Sequence, residues 1–143
     1  MEKKKFKKLL GNNLDEYGFK YIKKSYYRET EEVMIVIATQ KSSFGDDYYI
    51  NYGFLIKGEN PEVQYPKDYE CDTRGRFIFQ KDGKQSDNFI PDSLCEREFS
   101  NIVKENLEKV IKPVFDFGLA KYFEIYPELV VVANLKARKY LKL

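Results

Sequence analysis

Two arginines that flank a glycine form the most chemically suggestive cluster in the sequence, within residues 71–76. A guanidinium can hold a phosphate or a carboxylate with two parallel N–H groups, and the missing side chain of Gly75 exposes neighbouring backbone N–H groups. Arg74 and Arg76 therefore suggest a site for a small anionic ligand. An alternative stays open, in which the arginines pair with nearby acids and Gly75 permits a bulge in a strand.

A second polar segment, Lys41, Ser42 and Ser43, lies in a loop between two apolar runs. If this loop meets Arg74 and Arg76 in the fold, its ammonium and hydroxyl donors would complete an anion site. The alternative is that Lys41 and Ser43 bond backbone groups at the end of a hairpin and serve the fold alone.

Other kinds of chemistry find little support. The sequence has no histidine, which removes the usual general base near neutral pH and the commonest zinc ligand. Its eight glycines form no phosphate-binding spacing. Carboxylates cluster at Asp46 and Asp47 and at Asp68, Glu70 and Asp72, but acids beside turns are ordinary surface residues. We expect neither a cofactor nor a metal, and we favour a protein that is not an enzyme.

Composition indicates an ordered, water-soluble chain. Its 143 residues fit one α+β domain over residues 1–143, and 43% hydrophobic and 16% aromatic residues can build a core. No apolar run approaches the ~18 residues that span a bilayer, and the first residues form an amphipathic pattern, so we expect no membrane association and a cytoplasmic location. Cys71 and Cys95 lack a metal-binding spacing, and we expect reduced thiols.

The net charge of +2 is unevenly distributed. Residues 1–30 carry nine Lys and Arg against four Asp and Glu, and residues 131–143 carry four against none, so the middle of the chain is acidic. Basic ends would suit nucleic acid if the lysines of the first helix shared a face with Arg138 and Lys139. Solvated faces of two helices explain the same pattern, and we disfavour nucleic acid as a partner.

The most regular stretch is a pair of strand-like runs. Residues 33–39 are rich in β-branched side chains and predict a central strand that is covered on both faces. Residues 48–56 alternate, with large apolar side chains on one face and Tyr49 and Asn51 on the other. The polar loop at residues 40–47 would join the two strands as an antiparallel hairpin.

Helical periodicity and turn residues predict the remaining elements. They are a helix over residues 2–17 ended by Gly18, a strand within 19–29, a strand around 72–80, a helix over 98–117 that Pro113 kinks or ends, a short helix over 119–125, and a last helix from Pro127 that buries Leu129, Val132, Ala133 and Tyr140. The predicted fold is α+β, with an N-terminal helix, an antiparallel meander of about four strands, and two to three C-terminal helices packed on one face.

Four segments also carry a resemblance. They are Tyr-Gly-Phe-Lys at 17–20, Tyr-Tyr-Arg at 26–28, Gln-Lys-Ser-Ser-Phe-Gly with Tyr-Tyr-Ile-Asn-Tyr-Gly over 40–53, and Thr-Arg-Gly-Arg at 73–76. With them the chain resembles the bacterial "domain of unknown function 4304" family over nearly its whole length. The resemblance implies a small, stand-alone α+β protein of the bacterial cytoplasm, and it implies no established activity and no catalytic residues.

Taken together, these features favour a non-enzymatic protein-binding module, of which an immunity protein that neutralises a toxin is one form. The polar face at Tyr49 and Asn51 and the many tyrosines suit an interface, and the acidic middle of the chain suits a basic partner. The alternative is a binder of, or enzyme for, a small anionic or phosphorylated ligand held by the Lys41–Ser43 loop, Arg74 and Arg76.

Overall fold

The computed structural model describes residues 1–143 and has the predicted α+β architecture. Its α-helices are α1 (Lys3–Glu16), α2 (Glu96–Asn106), α3 (Lys112–Phe117), α4 (Leu119–Ile125) and α5 (Leu135–Leu141). Its strands are β1 (Lys20–Ile22), β2 (Ser25–Glu29), β3 (Val33–Lys41), β4 (Tyr48–Ile56), β5 (Thr73–Arg76), β6 (Phe79–Lys81) and β7 (Lys84–Ser86). None of the helices is both long enough and apolar enough to cross a bilayer.

The first five strands form one antiparallel sheet in sequence order, whereas β6 and β7 form a separate hairpin. The sheet has one strand more than the predicted four because residues 19–29 fold into two strands. Lys23 and Lys24 both adopt positive φ angles, of 50° and 71°, and make the tight turn between β1 and β2. Positive φ is usually reached by Gly or Asn, so two lysines gave no turn signal.

The predicted hairpin is confirmed and is the longest strand pair in the sheet. Strands β3 and β4 pair from Val33 opposite Ile56 to Lys41 opposite Tyr48, so the connecting loop is residues 42–47. Its register sets which side chains share a face, because successive residues of a strand point to opposite sides.

Strand β3 is buried on both faces, as predicted. Ile35 and Ile37 belong to the main core on the inner face of the sheet, whereas Met34 and Val36 belong to a smaller cluster on the outer face. The main core contains 25 buried side chains and the outer cluster contains five, so the helices cover the inner face. This asymmetry leaves part of the outer face without a cover.

The helix predicted over residues 98–117 is interrupted ahead of Pro113. Helix α2 ends at Asn106, a π-helical turn covers Leu107–Ile111, and Pro113 is the second residue of α3. Proline has no N–H and its ring crowds the carbonyl one turn earlier, so a wider turn precedes it. The buried side chains of Leu107 and Ile111 still face the core.

The prediction of one last helix from Pro127 is wrong. Residues Pro127–Val132 form a 3-10 segment, and α5 begins only after Asn134, whose side-chain oxygen accepts the N–H of Ala137 at 2.9 Å. Asparagine is a strong helix N-cap, and consecutive valines are weak helix formers. Val132 and Tyr140 are consequently exposed rather than buried.

The strand predicted around residues 72–80 divides into β5 and β6, on either side of the buried Phe77. Gly75 lies opposite Tyr52 in an uninterrupted register, so the alternative of a bulge at Gly75 is wrong. A methyl group at Gly75 would overlap the phenol of Tyr52, and the glycine therefore provides space for this side chain.

Candidate functional site

The outer face of the sheet is divided into a covered half and an open half. The covered half includes Tyr27, whose hydroxyl donates to the Pro66 carbonyl at 2.9 Å and so fixes the segment that crosses it. Cys71, from the same segment, is buried in this half. The open half, which we call the open face, consists of Gln40, Tyr49, Asn51, Arg74 and Arg76.

The guanidinium of Arg76 is the centre of the open face. Its Nε donates to Asn51 Oδ1 at 3.1 Å, and its Nη1 donates to Asp87 Oδ2 at 3.1 Å. Its Cζ lies 3.9 Å from the centre of the Tyr49 ring, in a cation–π geometry. Gln40 Oε1 accepts the Asn51 amide at 3.0 Å and completes the network. Arg76 is therefore held in one position by neighbours on three sides.

Arg74 is held far less firmly. Its one hydrogen bond is a long contact of 3.4 Å from Nη1 to the carbonyl oxygen of Tyr69. No carboxylate lies within 4 Å of its guanidinium, and the residue is exposed. Tyr69 is also 66% exposed. An unpaired cation and an exposed phenol thus lie next to the fixed network around Arg76.

The Lys41–Ser43 loop does not bond to either arginine. Lys41 pairs with Asp46 in its own loop at 3.8 Å, and Ser42 Oγ accepts the N–H of Phe44 at 3.2 Å. The side chains of Lys41 and Ser43 thus bond no backbone group, and the alternative in which these two residues fix the hairpin end is wrong, because Ser42 makes the backbone contact instead. The structure thus groups Tyr49, Asn51 and Arg76, with Arg74 beside them.

One residue of the acidic cluster near Arg74, Asp72, stabilises the fold. Asp72 is 2% exposed and its carboxylate accepts hydrogen bonds from Ile56 N at 2.8 Å, Asn60 Nδ2 at 2.9 Å and Asn134 Nδ2 at 2.7 Å. It ties the end of β4 to the C-terminal part of the chain. No group of three or more His, Cys, Asp and Glu side chains has metal-binding geometry.

Three residues of the site were missed by sequence reasoning. Gln40 is the cross-strand neighbour of Tyr49, so the alternation of the hairpin contained the signal that would have found it. Asp87 follows the separate β6–β7 hairpin, and Tyr69 lies in a 3-10 turn. No local pattern connects either residue to the sheet, so their positions had no sequence signal.

An open groove passes from the open face over the edge of the sheet. Arg74, Gly75 and Arg76 line it together with Leu129 and Val132 from the 3-10 segment. Val132 is 58% exposed. The groove therefore combines charged groups with an apolar wall.

A family model described as "Domain of unknown function (DUF4304)" matches residues 10–116. The matched range begins within α1, ends within α3 and contains the whole open face. The resemblance read from the sequence segments is confirmed. Comparison with curated proteins found no match, and comparison with solved structures found none either.

Proposed function

The chain belongs to the family described as Domain of unknown function (DUF4304), and we propose that it works as a protein-binding module. The observation that carries this proposal is the open face, where the helices and the segment with Pro66 and Cys71 leave part of the outer sheet surface uncovered. Tyrosine and arginine are the residue types most enriched in the energetic centres of protein interfaces, and both occur here. An immunity protein that neutralises a toxin is one form that such a module takes.

The fixed position of Arg76 on the open face supports the same proposal. Asn51, Asp87 and Tyr49 already hold Arg76 in place. Binding of a partner therefore does not carry the entropic cost of ordering this long side chain. Preordered tyrosine and arginine side chains give a surface that binds without large rearrangement.

The local charge favours an acidic partner surface. The composition of the middle of the chain suggests a basic partner, but the side chains on the open face itself include two arginines. Arg74 has no ion-pair partner, and binding energy comes from the charges that face the partner and not from the net charge of the segment.

Affinity purification with a charge-reversed variant tests the proposal. Tagged wild type and Arg74→Glu are purified from the native host, and Arg97→Glu on the exposed surface of α2 is the matched control. We expect a protein partner that is retained by wild type and by Arg97→Glu and is lost by Arg74→Glu. A partner that is retained equally by all three proteins, or no partner above background, contradicts the proposal.

A small anionic or phosphorylated ligand is the second candidate. One observation favours it, namely that Arg74 lacks a carboxylate partner. Titration calorimetry with inorganic phosphate distinguishes the two functions. Binding heat that disappears when Arg74 and Arg76 are replaced by Gln supports the anion site, whereas the absence of binding heat favours the protein partner.

A further inference from the structure

Strand β5 is an edge of the five-stranded sheet, and part of its backbone has no partner. The N–H of Phe77, just after β5, donates to the Ile50 carbonyl at 2.8 Å, which fixes the alternation of this antiparallel pair. Within β5, the N–H and C=O groups of Arg74 and Arg76 consequently point away from β4. No other segment of the chain forms hydrogen bonds with these backbone groups.

Two residues before Arg74, at Asp72, the chain itself already forms a backbone hydrogen bond with this edge. The backbone N–H of Asn134 donates to the carbonyl oxygen of Asp72 at 2.9 Å. Backbone pairing along the edge ends at Asn134 because this residue caps α5 and the chain continues as a helix. The carbonyl of Asp72 is therefore paired, whereas the next residues with outward-pointing backbone groups, Arg74 and Arg76, have no partner for these groups.

The groove beside the edge provides room for a strand. An added strand lies about 4.8 Å from its neighbour and presents alternate side chains to each face. On the side away from β4, Leu129 and Val132 would contact side chains of such a strand. Main-chain bonds and side-chain contacts are the two components of strand addition to an exposed sheet edge.

Charge identifies the kind of strand that fits. Asp68 is the one acid that lines the groove, and although Asp87 pairs with Arg76, the guanidinium of Arg74 has no ion-pair partner. Arg138 of α5, whose Nη2 donates to the Val131 carbonyl at 2.8 Å, adds a further cation next to the 3-10 segment. The same charges oppose the pairing of β5 with β5 of a second copy, because arginines on both edges would face each other.

We propose that the β5 edge binds an extended, acidic segment of the partner protein as an additional strand of the sheet. The proposal rests on the protein-binding function and specifies its partner. Backbone groups of the segment bond to the outward N–H and C=O groups of Arg74 and Arg76. Acidic side chains at alternate positions of the segment meet the two guanidinium groups on the outer face.

Selection from a displayed library of linear peptides of about ten residues tests the chemistry of the segment. We expect the whole chain to select peptides with Asp or Glu at alternate positions. Methylation of alternate backbone nitrogens removes N–H donors and should abolish binding of the best peptide, and so should Arg74→Glu in the protein. A library that yields no binder, or a methylated peptide that binds equally well, overturns the proposal.

Hydrogen exchange distinguishes strand addition from docking through side chains alone. With the selected peptide at about ten times its Kd, exchange of the Arg74 and Arg76 amides should slow by about tenfold, since the free fraction falls by that factor. Unchanged exchange at these amides refutes strand addition. If a natural partner still depends on Arg74 in affinity purification, the protein-binding function survives that result, whereas loss of the partner itself refutes the function.

Discussion

The hydroxyl of Tyr52 lies 2.7 Å from the hydroxyl of Tyr122, and both side chains are buried. Tyr52 comes from the central hairpin and Tyr122 from α4, so this contact joins the sheet to the C-terminal helices. The ring of Tyr52 also fills the space beside Gly75 in the edge strand. The backbone of the proposed binding edge is thus supported from behind by an aromatic side chain in the core.

The buried tyrosines predict a loss of stability in alkali. Burial raises the pKa of Tyr52 and raises the pKa of Tyr122 to about 12, so the folded state holds both protons more tightly than the unfolded chain, where tyrosine titrates near pH 10. For Tyr122 the stabilisation is complete below about pH 10 and is lost as the pH rises to about 12. For Tyr122 the loss is about 3 kcal/mol.

Urea unfolding at several pH values measures this dependence. Tyr122→Phe removes one titrating group, and we expect its free energy of unfolding to fall less steeply above about pH 10, by about 1.4 kcal/mol per pH unit. Equal slopes for wild type and variant would show that the pKa of Tyr122 is not raised in the folded state.

A methyl group at Gly75 should destabilise the protein. Gly75→Ala places a Cβ where the Tyr52 phenol lies, so Tyr52 must move within a packed core, and overpacking of this kind costs about 1–3 kcal/mol. Gly58→Ala is the matched control, because a Cβ there has no atom within 4 Å. Chemical denaturation should separate the two variants, and a Gly75→Ala protein as stable as Gly58→Ala would contradict the packing.

Removal of the Asp72 carboxylate should loosen the C-terminal segment. Asp72→Ala leaves the buried donors on Ile56 and Asn60 without an acceptor and removes the hydrogen bond from Asn134, at a cost of about 3 kcal/mol. Hydrogen exchange should also accelerate in α5. Asp92→Ala, at an exposed position, controls for the loss of a charge, and equal stability of the two variants would exclude the anchoring role.

The arginines of the open face should contribute little to folding. Arg74 has no ion pair, and the Arg76–Asp87 pair is exposed, with side chains 39% and 42% accessible. Replacement of either arginine by Gln should therefore change the free energy of unfolding by less than about 1 kcal/mol. Thermal denaturation checks this, and a larger loss would mean that the arginines serve the fold and that binding losses in these variants have no simple interpretation.

Local patterns predicted the parts of the fold that local physics determines. The β3–β4 hairpin has both β-branched composition and strict alternation, and α1 has a complete apolar stripe ended by Gly18, whose φ is +80°. The turn at Lys23 and Lys24 was missed because its residues do not favour positive φ. The last helix was predicted too long because the capping side chain of Asn134 outweighed the continuing apolar pattern.

The residues of the candidate site also divide into those that a local pattern predicts and those that it does not. Tyr49 and Asn51 were predicted on one polar face because the alternation within a single strand is enough to place them. Arg76 meets them through the pairing of β4 with β5, across a long and irregular connection. The ion pair with Asp87 depends on the path of the β6–β7 hairpin, which no periodic pattern specifies.

The position of Tyr122 also determines where the chain can be truncated for experiments. The family model ends at residue 116, but Tyr122 packs edge-on against Phe54 with ring centres 5.2 Å apart and lies wholly inside the core. A fragment that stops at the family boundary would expose an apolar strip along β4 to water, and such a strip promotes aggregation. The range that the family model matches is thus shorter than the range that must be expressed together to keep this core closed.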